Sequence, residues 1–342
     1  MLTPLLRPFS ALYGLLTDVR NQLYTNRFMS AFQPVQYCIT VGNLTVGGTG
    51  KTPMVEYLIR RLSDQRRLAM LSRGYGRQTR GFRIAGLEDT AETLGDEPLQ
   101  VYRKFGNSVT VCVGEQRAAA LSTLSSLRPD IDTVILDDAF QHRAVAAHVN
   151  LLLSDYNRPF YTDHPFPAGR LRERRHGARR ADAVIVTKCP DDLPLADQQK
   201  IASQIRPYTR PGTPVFFAGL RYDTPVSYAG SQPDQTLREV VLVSGIASVV
   251  SLEAYVRRQF RLIRHLEFGD HHAYSSADLD RIRQGCPPGT AVLTTEKDWV
   301  KLQALLLTEK GANPPFYYVP VAMYLLDREE ELMQLLRVKK PE

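Results

Sequence analysis

The stretch VGNLTVGGTGKT, Val41 to Thr52, decides the fold. It reads as a phosphate-binding loop with one residue out of pattern. The pattern G-x-x-x-x-G-K-S/T closes on Gly50, Lys51 and Thr52, so its first glycine should fall at position 45, where the chain carries Thr45. Val41 ends an apolar run, and the loop leads directly into a helical pattern with Pro53 in its first turn. Strand, glycine-rich turn and helix in that order form the context such a loop requires. Gly47, Gly48 and Gly50 let the backbone turn its N–H groups toward phosphate oxygens, and the helix N-terminus adds partial positive charge at the same place. The nucleotide-binding candidates are therefore Thr45, Val46, Gly47, Gly48, Thr49, Gly50, Lys51 and Thr52. Lys51 is expected on the β- and γ-phosphates and Thr52 on Mg²⁺. A threonine at position 45 affects only the point where the chain leaves the strand, before the phosphate-facing donors.

A phosphate loop also needs acids at a neighbouring strand end to hold the magnesium shell. TVILDDAFQH supplies them: Val134, Ile135 and Leu136 form a buried strand, and Asp137 and Asp138 emerge at its tip. Further apolar runs at 36–41, 68–72, 109–113, 150–153, 183–187 and 214–218 alternate with helical patterns at 53–62, 98–104 and 117–127. Strands this apolar, separated by helices, predict a parallel sheet covered on both faces. The fold class expected is α/β, a P-loop NTPase-type doubly wound, mostly parallel sheet. Pro, Gly and polar residues dominate RPYTRPGTPV and GSQPDQT. A second alternating series follows, so residues 31–219 are expected to form the first domain and 220–342 a smaller α/β domain.

The chain has 342 residues, 43% hydrophobic and 23% charged, with a net charge of +7. That composition suits a globular protein with a sizeable core. A basic balance suits nucleic acid, an anionic membrane or a phosphorylated small molecule, and does not choose among them. Cys38, Cys112, Cys189 and Cys286 show neither zinc spacing nor a disulfide framework and are expected as reduced thiols. Residues 1–30 contain no apolar run near the length of a membrane span and lack the features of a secretion signal. Phe9, Leu12, Tyr13, Leu16, Val19 and Leu23 recur at helical spacing. That stripe either packs on its own domain or lies in a membrane surface with Arg7, Arg20 and Arg27 near lipid phosphates.

On the acceptor side, phosphoryl transfer to an alcohol needs a base within hydrogen-bond reach of the hydroxyl. Asp96 in LGDEPLQ is a candidate, though the same residue is well placed to cap the helix that follows. Asp270, His271 and His272 in EFGDHHAYSSADL could orient a base, or simply end a loop before a helix. PAGRLRERRHGARRAD is strongly basic and includes Arg172. It is either a solvated face or a means of neutralising transition-state charge.

Taken in order, GNLTVGGTGKTP, LSRGYGR, GDEP, LDDAFQHR, AGRLRE, SGIA, FGDHH and TTEKD resemble the tetraacyldisaccharide 4′-kinases of lipid A biosynthesis, over nearly the whole chain. That family carries Ser or Thr where Thr45 stands. The resemblance implies transfer of the γ-phosphate of ATP, with Mg²⁺, to the 4′-hydroxyl of an acylated glucosamine disaccharide 1-phosphate. It places the protein peripherally at the cytoplasmic face of the bacterial inner membrane, held to an anionic surface through residues 1–30. It makes Asp96 the base, His271 its partner and Arg172 a catalytic neighbour, with Thr52, Asp137, Asp138 and Glu173 on the metal side. Arg174 departs from the family's usual proline after LRE. No protein partner is implied. The competing classes are a P-loop ATPase on nucleic acid, which would favour an aromatic-interleaved basic groove that the chain lacks, and a GTP-binding switch. TKCPDD at 187–192 only faintly matches the guanine motif of such switches.

Overall fold

The apolar runs become strands wherever both faces of a sheet are covered. The computed structural model describes residues 3–228, 237–308 and 313–337; the polar stretch Gly230–Thr236 lies outside the described residues. The chain begins with helix α1 (Thr3–Thr25), strand β1 (Tyr37–Asn43), α2 (Lys51–Leu62), β2 (Leu68–Ser72) and β3 (Arg83–Ile84). Next come α3 (Ala91–Leu94), α4 (Asp96–Phe105), β4 (Thr110–Val113), α5 (Arg117–Leu127), β5 (Thr133–Asp137) and β6 (Val149–Asp155). Then follow β7 (Ala183–Thr187), α6 (Leu195–Ile205), β8 (Val215–Tyr222), β9 (Val226–Ser227), β10 (Glu239–Ser244) and α7 (Val250–Gln259). The last are β11 (Arg261–Glu267), α8 (Ser276–Gln284), β12 (Ala291–Thr295), α9 (Glu296–Thr308), β13 (Phe316–Val319), β14 (Val321–Leu325) and α10 (Glu329–Leu335).

The larger sheet has nine strands in the order β14-β8-β7-β6-β1-β5-β2-β4-β3. Its interior strands pair in parallel, and β3 and β14 close the edges antiparallel. Apolar side chains of α2 and α10 (Leu58, Ile59, Leu332) pack on one face, and those of α5 (Leu121, Leu124) on the other. The doubly wound expectation therefore holds. Chain connections leave β1 toward β2 and return on its other side at β6, so the crevice beyond the carboxyl end of β1 is the topological switch point, where such sheets bind ligands. The smaller sheet, β11-β10-β12-β13-β9, is covered by α7 on one face and by α8 and α9 on the other.

The expected boundary at 220–342 needs correction. The second sheet ends at Val319, and after Pro320 the chain re-enters the first: Val321 pairs with Tyr222, and Leu332 and Leu336 of the last helix lie in the first unit's core. The chain leaves the first sheet at Tyr222 beside the point where it returns, and Asp223 N–H donates to Pro320 O at 3.0 Å.

Helix α1 docks with its polar side. Ser10 Oγ accepts from Ala168 N–H at 2.8 Å, Tyr13 Oη donates to Arg172 O at 3.0 Å, and Asp18 pairs with Arg174 at 3.1 Å. Phe9, Leu12, Leu15, Leu16 and Val19 point outward, each at least 52% exposed. Apart from Tyr13, the stripe does not pack on its own domain. No helix among the described residues is long and apolar enough to cross a membrane.

Candidate active site

The anomalous loop position has a local explanation. Arg172 N–H donates to Leu44 O at 2.7 Å and Val46 N–H to Arg170 O at 2.8 Å, so Thr45 lies against Leu171 in a short antiparallel bridge. A paired, extended residue has no need of the left-handed backbone that favours glycine. That need falls instead on Gly47 (φ 111°) and Gly50 (φ 82°). Buried Asn43 braces the loop by donating to Thr49 Oγ1 at 2.6 Å, and Thr187 Oγ1 donates to Thr49 O at 2.8 Å. The N–H groups of Gly48 through Thr52 find no acceptor among the described residues. Free donors at a helix start form an anion cradle, and this one fits a polyphosphate.

Asp137 and Asp138 stand at the tip of β5, next to β1. Asp137 is buried; Oδ2 accepts from Ser72 Oγ at 3.1 Å, while Oδ1 has no partner. Burial, then the charges of Glu97 and Asp138, push its acid up to about 7 against the pull of Lys51. Asp138 adopts a left-handed backbone (φ 45°) and meets Arg172 at 2.8 Å and Lys51 at 3.8 Å. Burial alone would raise its acid, but these two cations outweigh it and hold the group below the usual carboxylate range. An unpartnered buried carboxylate oxygen beside a second carboxylate suits Mg²⁺, which takes one or two carboxylates and keeps several waters. Thr52 lies in the first turn of α2 beside Lys51.

Glu173 is not brought to this group. Its oxygens accept from Arg180 at 2.6 and 2.8 Å, from Asn21 at 2.8 Å and from Gln141 at 3.0 Å. It ties α1 to the arginine-rich loop, and a metal would have to displace all four donors. Removing one partner of a buried ion pair costs about 3–5 kcal/mol. Glu173→Ala should therefore lower the melting temperature while the magnesium dependence of ATP binding stays unchanged. A magnesium requirement raised tenfold at unchanged stability would restore Glu173 to the metal site.

The residues expected on the acceptor side meet across the two sheets. Gly95 takes the N-cap position of α4, with no side-chain cap. Asp96 is therefore not consumed as a cap, and its Oδ2 lies 3.3 Å from His271 Nδ1 and 3.4 Å from Lys301 Nζ. Burial would raise the Asp96 acid, but the His271 hydrogen bond and the Lys301 and Lys297 ammoniums prevail and hold it below the usual range. His271 follows the end of β11 in a left-handed conformation (φ 59°). His272 is turned elsewhere, 3.1 Å from Asp278 and tilted against the Phe268 ring at 4.8 Å between centroids. Both glycine-flexed loops reach the cleft: Tyr75 packs edge-on against the His271 ring at 5.5 Å, and a Cβ on Gly48 would stand 3.4 Å from Ala247 of SGIA.

The sequence carries no sign of Glu97 or Lys301 as site residues, and the resemblance implies only that Lys297, with Glu296 and Asp298, lies near the cleft between the two units, without a role. Glu97 is adjacent to Asp96 and 3.7 Å from Lys297 Nζ. Lys301 follows Lys297 by four, so a helix beginning at TTEKD would have signalled that both share one face.

Comparison with known proteins identifies the family. A family model described as tetraacyldisaccharide-1-P 4′-kinase matches residues 2–340. The tetraacyldisaccharide 4′-kinase of Cytophaga hutchinsonii is 39% identical over 338 residues, covering 98% of this chain and 95% of the relative. That of Parabacteroides distasonis is 39% identical, covering 97% and 93%. A crystal structure of LpxK from Aquifex aeolicus in complex with ATP superposes with a TM-score of 0.78 at 29% identity, covering 98% of both chains. The chain belongs to the tetraacyldisaccharide 4′-kinase family.

Proposed function

We propose the following division of labour within an ATP-dependent kinase that phosphorylates the 4′-hydroxyl of tetraacyldisaccharide 1-phosphate. The N–H groups of Gly48 to Thr52 and the Lys51 ammonium hold the triphosphate. Thr52, Asp137 and Asp138 hold magnesium, which when bound neutralises charge on the transferring phosphoryl group. Arg172, fixed on Asp138, adds positive charge on the same side. Asp96 accepts the proton of the sugar hydroxyl, and His271 holds Asp96 in position. The observation that carries this reading is the 3.3 Å contact between Asp96 of the first unit and His271 of the second. Closure of the second unit over the loop, as the approach of Ala247 suggests, excludes water that would compete for the γ-phosphate. The test is incubation with ATP and detergent-dispersed acceptor. A product carrying a second phosphate is expected, and ATP turnover indifferent to the lipid would overturn the assignment.

We further place the protein at the cytoplasmic face of the inner membrane, held by the outward face of α1. Its apolar residues and the exposed Arg7, Arg20 and Arg27 suit a helix lying among anionic headgroups. Each leucine removed from water contributes about 1.5–3 kcal/mol. The double variant Leu12→Glu, Leu16→Glu should therefore partition at least about 10²-fold less onto anionic vesicles, with turnover on detergent-dispersed acceptor retained. Equal vesicle flotation of variant and parent would refute the placement.

A further inference from the structure

The TTEKD stretch enters the cleft at the start of α9, and each of its charged residues has a distinct environment. Glu296 pairs with Lys104 at 2.7 Å, and Lys104 also pairs with Glu56 of α2 at 2.6 Å. Asp298, fully buried, accepts from Gly245 N–H at 2.9 Å and from Thr295 Oγ1 at 2.7 Å. These two acids tie the first turn of α9 to the first unit and to the end of β10. Between them stands Lys297, whose Nζ lies 3.0 Å from His271 Nε2, 3.2 Å from Asp270 Oδ1 and 3.7 Å from Glu97 Oε1.

A lysine ammonium has three donors and no acceptor. A hydrogen bond between Lys297 Nζ and His271 Nε2 therefore requires Nε2 to be the acceptor. The ring proton must then sit on Nδ1, where it faces Asp96 Oδ2. We propose that Lys297 is a positioning residue for the transfer: it fixes the neutral His271 ring as the Nδ1–H tautomer and so aims that N–H at the base. In a histidine the proton's place on one nitrogen is set by the partner of the other, and here that partner is a group that can only donate.

The charges around the ring agree. From α4 it meets Asp96, with Glu97 engaged on Lys297; from α9 it meets Lys297, with Lys301 on the far side of Asp96; from its own loop Asp270 Oδ1 lies 4.0 Å from Nε2. The loop carrying Tyr75 contributes an aromatic edge. An imidazolium would set an N–H against an ammonium at 3.0 Å, and Asp270 already lies closer to Lys297 than to the ring. A neutral ring also leaves Asp96 a better proton acceptor than an imidazolium would. Thus Lys297 acts on the reaction through His271.

The inference rests on the Asp96–His271 assignment proposed above, so its test includes a measurement that needs no turnover. Protein labelled with ¹⁵N-histidine, with the His271 signals identified by difference from His271→Gln, should show the Nδ1–H tautomer in the parent. In Lys297→Met that preference should be lost. The kcat should fall on the order of 10-fold to 100-fold, less than loss of the base itself. The KM for ATP should stay within about twofold. Lys297→Arg, also donor-only, should keep the tautomer and recover most of kcat. Lys297→Gln, which offers an acceptor as well, should release the tautomer even if the methionine variant folds poorly. A parent ring in the Nε2–H form, or an Nδ1–H form unchanged in both the methionine and glutamine variants, would overturn the proposal. A tautomer that responds to Lys297 alongside a fully active Asp96→Asn would instead overturn the assignment of the base.

Discussion

Asp96→Asn is expected to lower kcat by about 10²–10⁴, the usual contribution of a positioned general base, while the Kd for ATP changes by no more than about twofold. Asparagine has nearly the same shape as aspartate, and its carbonyl can still accept from His271 Nδ1–H. The geometry of the cleft therefore survives, and only the charge and the capacity to take a proton are lost. Among the described residues the Asp96 carboxylate pairs with His271 and Lys301 and makes no hydrogen bond or ion pair with the phosphate loop, so nucleotide affinity has no reason to follow. The downward shift of this carboxyl also fixes the form of the pH dependence. Burial raises it, but the His271 hydrogen bond and the two lysines lower it further. The carboxylate is therefore ionised throughout the range above its ordinary value of about 3.9. Between pH 6 and 8 the parent's rate is not limited by protonation of Asp96, and any acid limb found there belongs to another group. Pre-steady-state transfer with detergent-dispersed acceptor separates the alternatives, and a variant retaining more than half the parent's kcat would remove Asp96 from the base role.

Much of this arrangement is legible in the sequence because the relevant residues are neighbours along the chain. The strand before Gly42, the glycine turn and the helix after Lys51 are contiguous, and so are the buried strand and the acids of VILDD. The parallel strands announce themselves as unbroken apolar runs. What stays hidden depends on contacts between distant segments. VAMYLL at 321–326 falls within the stretch expected as the second domain, and only its pairing with β8 shows the return to the first. RLIRHLE gives no apolar run because β11 is a half-exposed edge strand. Thr45 looks like a defect until Leu171 is seen beside it. Glu173 sits in a motif rich in site residues, yet its two oxygens meet Arg180, Asn21 and Gln141. Conversely, Asp96 could equally have been a helix cap, and what frees it is the unusual backbone of Gly95 (φ 94°). The sequence thus shows the nucleotide half of the site more fully than the acceptor half, which is assembled from both sheets.

Lys51→Ala tests the nucleotide half, and its effect should differ in kind from that of Asp96→Asn. Lys51 is the first residue of α2, only 12% exposed at its side chain, with Nζ 3.8 Å from Asp138. There it opposes the charges of Asp137, Asp138 and Glu97. Removing a preorganised charged donor from a transferring group costs about 10²–10³ in rate. A second loss adds to this. Lys51 lowers the acids of both aspartates, so without it their protons bind more tightly and compete better with magnesium, whose ligands must be deprotonated. The variant should therefore need more magnesium, and its deficit should narrow as the pH is raised above about 7, the value to which Asp137 is already pushed. Asp96→Asn should show neither trend. The variants also separate in the absence of acceptor: slow ATP hydrolysis, which uses the loop but not the sugar base, should fall with Lys51→Ala and survive in Asp96→Asn. Magnesium titrations of both activities at two pH values would decide the matter. Near-normal transfer by Lys51→Ala, with an unaltered magnesium requirement, would mean that the cradle at the head of α2 is not where the triphosphate is held.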